Sequence, residues 1–212
     1  GWWKTKTKNV TDMSNMFMNA SEFNQDIDSW DVGSVKSMGS MFKEAISFDQ
    51  HLSGWNTENV EKMDSMFEGA ENFNALIYKW NTVKVTSMSA MFKNAKSFNQ
   101  EINTQKIEKR DNTFYFAWHV KNVKDMSSMF EGAEKFNQEI RGWDVYNVTD
   151  MSAMFQNAYL FNQPLNSWIA KMSKVNNMSF MFNNAKAFLP RNIKDWNVNK
   201  NVKMNCMFNG ST

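Results

Sequence analysis

The chain has 212 residues, 42% of them apolar, and a formal net charge of +2. That is enough for one domain or one repeat array, and charges of both signs are mixed along it, so no global field points to nucleic acid or an anionic membrane. No stretch approaches the roughly 20 uninterrupted apolar residues of a membrane span, and the single cysteine, Cys206, excludes an internal disulfide framework and any CxxC metal site.

The opening "GWWKTKTKNV" lacks an apolar signal-peptide core, so any targeting segment is expected to have been removed or never to have existed. From there the chain repeats itself. The dipeptide Met-Phe begins at Met16, Met41, Met66, Met91, Met129, Met154, Met181 and Met207, spaced 25 to 27 residues apart except for one gap of 38 between Met91 and Met129. A tryptophan precedes the dipeptide at one fixed separation at Trp30, Trp55, Trp80, Trp118, Trp143 and Trp196, and slightly farther ahead of it at Trp3 and Trp168. The unit reads I-x-x-W-x-V-x-x-V-x-x-M-x-x-M-F-x-x-A-x-x-F-N-Q, and an internal repeat of this length is the mark of a stacked array.

Each unit carries two local patterns. Met13, Met16, Phe17 and Ala20 fall at i, i+3, i+4 and i+7, which predicts a short helix with one apolar face. Asp12, Ser37, Ser87, Asp125, Asp150 and Asn177 stand where that helix needs an N-cap. Trp30-x-Val32 has the period of two of a strand, and Thr57, Thr82, Ile107, Val120, Val145 and Val198 continue its inward position. The expectation is therefore a single α/β solenoid over 1–212. It would have about 8–9 coils of roughly 25 residues, each with one short parallel strand and one short helix. The segment 105–117, inside the long gap, is read as a degenerate ninth coil that has lost most of its helical half.

The stretches "WDVGSVKSMGSMF", "WDVYNVTDMSAMF" and "FNQDIDSWDV" resemble the repeat of BspA-like leucine-rich-repeat bacterial surface proteins, a group that includes mycoplasma surface lipoproteins with a domain of unknown function. The resemblance covers nearly the whole chain. It implies a leucine-rich-repeat-like solenoid on a bacterial cell surface, associated with adhesion or host interaction, and it supplies no catalytic residues.

The residue chemistry favours structure over catalysis. The Met-Phe pairs and the tryptophan column read as core, and Asn24, Asp49, Asn74, Asn99, Asn137 and Asn162 as a ladder pairing turn backbone, broken at Leu189. Asp26, Asp28 and Asp31 form a D-x-D-x-x-D group whose counterparts are His51, Ser53 and Asn56, so solvated turn charges are expected there and not calcium. His51 and His119 occupy unrelated places in the repeat without a nucleophile partner, and no catalytic fingerprint is present. No enzyme activity, cofactor or metal is expected.

A surface remains. The positions after tryptophan (Asp31, Asn56, Asn81, Lys106, His119, Asp144) and the next outward ones (Gly33, Glu58, Val83, Lys121, Tyr146) should face out. Cations gather around the irregular segment, beside the aromatics of "TFYFAW", a composition that interfaces use. Lys106, Arg110, Tyr115, His119, Lys121 and Tyr146 are the predicted binding residues. Phe114 and Phe116 are expected to plug the space of the missing helix and Tyr115 to point outward, so that Tyr115→Ala or Lys121→Glu would spare the fold.

The expected function is a non-catalytic binding or adhesion module, extracellular and cell-surface anchored, contacting a protein or glycan of the host or extracellular surface. The alternative is a structural spacer or self-assembly domain with no external ligand. "MFNGST" and the abrupt start predict either a segment cut from a longer protein, the favoured reading, or ends that associate weakly with another molecule; "GWW" is expected to cover the first coil.

Overall fold

Two left-handed residues at fixed places in every repeat decide the local structure. The computed structural model describes residues 6–194, 196 and 198–211. The residue before each Met-Phe pair has positive φ, between 52° and 61°: Asn15, Ser40, Ser65, Ala90, Ser128, Ala153, Phe180 and Cys206. Four positions on, Asn19, Glu44, Gly69, Asn94, Gly132, Asn157, Asn184 and Gly210 are left-handed too. A right-handed helix holds no such residue. The segments predicted as helices, 13–20 and its counterparts, are accordingly runs of turns.

The hydrogen bonds show what replaces the helix. In the unit around Met41, alternate N–H groups close local turns: Met41 to the Met38 carbonyl at 3.2 Å, Lys43 to Ser40 at 3.2 Å and Ala45 to Phe42 at 3.0 Å. The N–H groups between them cross to the next unit: Met38 to Lys62 at 3.0 Å, Ser40 to Asp64 at 2.8 Å, Phe42 to Met66 at 2.9 Å and Glu44 to Glu68 at 2.7 Å. The backbone is thus satisfied half within a unit and half between units. On this geometry Ala90→Gly, at φ 53°, is expected to raise stability by about 0.5–1 kcal/mol, since the left-handed penalty of ~1–2 kcal/mol for alanine exceeds the entropy that glycine loses. In a helix the same change costs ~1 kcal/mol, so the sign in a urea titration decides between the two backbones.

Among the described residues the repeats hold no strands either. Successive units touch through single parallel bridges, Asp12 to Ser37, Ser37 to Lys62, Lys62 to Ser87, and so on through Asp125, Asp150 and Asn177 to Lys203. The residues expected to cap helices are therefore bridge residues. Several fold their own turn as well: Asp12, Asp125 and Asp150 each accept the N–H two residues ahead at 2.8 Å. Among the described residues the strands are β1 (Gln105–Glu108) and β2 (Phe114–Ala117), an antiparallel pair. Short 3-10 helices occupy Asn166–Lys171, which absorbs the extra length around Trp168, and Pro190–Ile193. The expected α/β solenoid of one strand and one helix per coil is therefore overturned: the molecule is mostly irregular, turn upon turn.

What packs is the repeat's apolar code. Trp55, Trp80, Trp118, Trp143, Trp168 and Trp196 stack in a column with ring centroids 6.3–6.5 Å apart. Each indole N–H donates to a carbonyl of the preceding unit, as Trp80 does to Leu52 at 2.9 Å. Two phenylalanine columns run alongside, Phe42 on Phe67 at 5.5 Å and Phe48 on Phe73 at 6.0 Å, and within a unit Phe42 lies 4.1 Å from Phe48. The inward column holds at Thr57, Thr82, Val120 and Val145, all buried, while Ile107 is only half-buried. Trp2, Trp3, Asn197 and the cover expected from "GWW" lie outside the described residues.

The amide ladder is present and lies nearer the surface than a buried turn. Asn24, Asp49, Asn74, Asn99 and Asn137 each accept through Oδ1 the N–H of the next member at 2.8–2.9 Å, and Asn162 Oδ1 accepts the Leu189 N–H at 3.2 Å, so only the side-chain column stops at Leu189. At the Leu189 break the 3-10 helix brings in Asn192, whose Nδ2 donates to Asn162 Oδ1 at 2.7 Å.

Candidate functional site: the central hairpin

Residues 105–117 are not a ninth coil. Ile102 precedes Gln105 as Ile27 precedes Trp30, yet the tryptophan that resumes the column is Trp118, well past position 105. Its N–H donates to the Trp80 carbonyl at 3.0 Å and its indole to Ile77 at 3.0 Å, so the units on either side stack as though nothing stood between them. The inserted residues leave the stack as a β-hairpin, with Gln105 opposite Ala117, Lys106 opposite Phe116, Ile107 opposite Tyr115 and Glu108 opposite Phe114.

Local sequence accounts for it. Ile107, Phe114, Tyr115 and Phe116 are strand formers. The connection closes with Lys109 N–H to Thr113 at 2.7 Å and Asn112 N–H to Lys109 at 3.1 Å, and Asn112 takes φ 62°, the left-handed residue that a three-residue hairpin loop demands. Asp111 Oδ1 accepts from the Thr113 N–H at 3.0 Å and hydroxyl at 2.6 Å, and these bonds hold its carboxyl below the usual carboxylate range.

The hairpin's inner face carries Gln105, Ile107, Tyr115 and Ala117, and its outer face Lys106, Glu108, Phe114 and Phe116. This reverses the expected orientation of the aromatics. Tyr115 is half-buried and its hydroxyl donates to the Lys79 carbonyl at 2.6 Å. Burial first, and then the neighbouring Tyr78, push its phenol above the ordinary value. Lys109 lies 5.7 Å over the Tyr115 ring and 3.7 Å from Glu58, tying the loop to the body. Tyr115 is therefore an anchor, and a fold-neutral Tyr115→Ala is not what this contact allows. A cleft of about 240 Å³ remains beneath, lined by Asn56, Glu58, Lys79, Asn81, Lys109 and Tyr115 among others.

Phe114 and Phe116, expected to plug a gap, are instead 54% and 47% exposed. Their rings meet edge to face at 5.7 Å, with Lys106 Nζ 4.6 Å from the Phe114 centroid and 3.2 Å from Glu108. His119 is half-buried, its ring 6.3 Å from that of Phe116. Arg110 is exposed at the loop tip, and Lys121 is exposed with its carbonyl taken by Asn147 at 2.8 Å. Tyr146 is exposed but pairs with Lys174, 4.5 Å over its ring. Of the six predicted residues, Lys106 and His119 thus join the aromatic face, Tyr115 lies under it and Arg110 marks its tip, and among the described residues no hydrogen bond, ion pair or ring contact joins Lys121 or Tyr146 to it.

Sequence reasoning missed Phe114 and Phe116 as surface and Lys109 and Glu58 as a tie. A signal existed: Ala117 adjoins the core residue Trp118, and counting back by two from a buried Ala117 places Tyr115 inward.

Elsewhere the candidate chemistry resolves into turns. Asp26 and Asp31 accept N–H groups two residues ahead, and Asp28 accepts the Gly54 N–H at 2.8 Å. Asn56, Asn81 and Asp144, expected to face out, fold turns in the same way. His51 Nδ1 accepts the Leu76 N–H at 3.4 Å. Among the described residues no group of three or more His, Cys, Asp or Glu side chains could hold a metal ion, and no helix is long and apolar enough to cross a membrane.

The molecule is thus a tandem-repeat protein of stacked turns carrying one protruding hairpin. The chain belongs to the family described as Mycoplasma protein of unknown function, DUF285, which matches residues 2–105 and again 104–212, the two matches meeting where β1 begins. No curated protein and no solved structure matches it. The mycoplasma side of the resemblance is shown, and its leucine-rich-repeat side is not.

Proposed function

We propose that the chain is a non-catalytic recognition module of an extracellular, cell-surface-anchored protein, and that a protein surface docks on the outer face of the central hairpin. The observation that carries this is the exposure of Phe114 and Phe116 beside Lys106, on the one element that departs from the repeat. Aromatic residues, phenylalanine among them, are enriched at the cores of protein interfaces, and an exposed apolar patch marks an interaction site. Both histidines have packing or backbone partners, which favours binding over catalysis. The surface setting and the adhesive role rest on the resemblance to BspA-like proteins.

The test is binding of the purified domain to arrays of extracellular-matrix proteins and glycans, beside a Phe114→Ser/Phe116→Ser variant. The expected result is a protein ligand lost at least tenfold in the variant with unchanged thermal unfolding. Equal binding by both chains, or capture by glycans alone, would remove the hairpin face from this role. Absence of any ligand would leave a spacer.

A further inference from the structure

The hairpin has a second feature besides its face, namely its two edges. Lys109 and Thr113 form a hydrogen-bonded pair at the loop, and such pairs alternate along an antiparallel ladder. Ile107–Tyr115 and Gln105–Ala117 are then the remaining bonded pairs, and the N–H and C=O groups of Lys106, Glu108, Phe114 and Phe116 point away from the hairpin. Among the described residues, none of these groups bonds to another part of the chain.

The edges differ in how they are guarded. β1 presents Lys106 and Glu108, charges of the kind that keep an edge from pairing indiscriminately. β2, with the sequence FYFA, carries no charge and no proline, and with Thr113 it makes an uncharged, aromatic-rich run of high strand propensity; the open edge ends at Trp118, whose N–H the Trp80 carbonyl already takes. A strand of this composition with free backbone groups is a template for another strand.

The geometry also says which strand. Two copies of β2 laid antiparallel about Tyr115 bring Phe114 opposite Phe116 of the other copy, and Phe116 opposite Phe114. These are the residues whose backbone groups face the edge, so the register gives about four backbone hydrogen bonds at once. It also makes two cross-strand aromatic pairs on the outer face, and it opposes no like charges. Pairing through β1 would offer exposed Lys106–Glu108 ion pairs, which contribute little, and would cover less aromatic surface. We infer that the partner of the β2 edge is the β2 edge of a second copy of this chain, joined about a two-fold axis at Tyr115 into a four-stranded sheet. The axis runs perpendicular to that sheet, so both outer faces point the same way. The pairing goes beyond the proposed docking of an external protein and does not require it, although it would present the docking face twice.

Sedimentation of the full chain gives the first reading: a dimer that dissociates in Phe116→Asp, whose charge enters the edge from an exposed position. Cross-linking gives the register, in a Cys206→Ser background because Cys206 is exposed. Phe114→Cys chains mixed with Phe116→Cys chains should form an interchain disulfide under mild oxidation, whereas either chain alone should not. In this register like positions lie about two residues out of line on each strand, beyond the ~7 Å that a disulfide spans. A monomeric wild-type chain, a dimer indifferent to Phe116→Asp, or cross-linking of each single variant as fast as the mixture would each overturn the inference. A wild-type chain that binds an external protein yet sediments as a monomer would overturn the pairing alone.

Discussion

Trp80→Ala is expected to destabilise the protein by about 3–5 kcal/mol, the range for emptying a buried aromatic site, and to lower the cooperativity of unfolding. Trp80 is fully buried between Trp55 and Trp118, each 6.3 Å away, with Phe67 at 6.1 Å. Its indole also satisfies the Leu52 carbonyl, so alanine leaves a cavity and an unpaired acceptor together. The position matters beyond the side chain, because a stacked array holds together through nearest-neighbour contacts. A gap in the tryptophan column loosens the join between the units before and after the hairpin. Urea titration should therefore show a lower midpoint together with a shallower or split transition. Trp80→Phe, which keeps a ring in the column and loses the N–H, should cost ~1–2 kcal/mol. A cost below about 1 kcal/mol for the alanine variant, far under the usual range, would mean that the column is not what joins the units.

The repeat's buried face was legible because burial requires only which side chains point inward. Met38, Met41, Phe42 and Ala45 are all fully buried at the spacing that predicts one helical face. That spacing fixes a face and leaves the backbone open, since turns with left-handed residues at two points can aim the same four side chains inward. The information that decides between them sat in another column. The third residue after each Met-Phe methionine is Asn19, Glu44, Gly69, Asn94, Gly132, Asn157, Asn184 or Gly210. Asparagine and glycine are the residues that accept positive φ, so this column argued against a helix everywhere except at Glu44. At the hairpin the length of the insertion was legible, but its direction was not. A degenerate coil and an extruded hairpin use the same stretch, 105–117, and only the demand that Trp118 rejoin Trp80 separates them. The ionic contacts between units were not read from the columns, although Lys43 meets Glu68 at 2.9 Å and Lys93 meets Glu131 at 3.0 Å with all four at one repeat position.

The same left-handed column yields a second large effect. Gly132→Val is expected to cost about 3 kcal/mol or more, combining a left-handed penalty of ~1–2 kcal/mol for an L residue with ~1–3 kcal/mol of overpacking. Gly132 has φ 68°, and a Cβ there would run into the Asn94 side-chain oxygen of the preceding unit. The two backbones are fixed, because Asn94 N–H donates to the Glu131 carbonyl at 2.7 Å and Gly132 N–H to Gln156 at 2.7 Å, so that only the Asn94 side chain can turn. Gly132→Asn separates the two causes. Asparagine tolerates the backbone, and the protein already stacks one on another at this position, Asn184 Nδ2 donating to Asn157 Oδ1 at 2.8 Å. The asparagine variant should therefore stay within about 1 kcal/mol of wild type once the Asn94 amide turns to meet it, a side-chain hydrogen bond being worth about that much. A valine variant no less stable than the asparagine one, by urea or thermal unfolding, would show that position 132 is not held left-handed between two fixed neighbours.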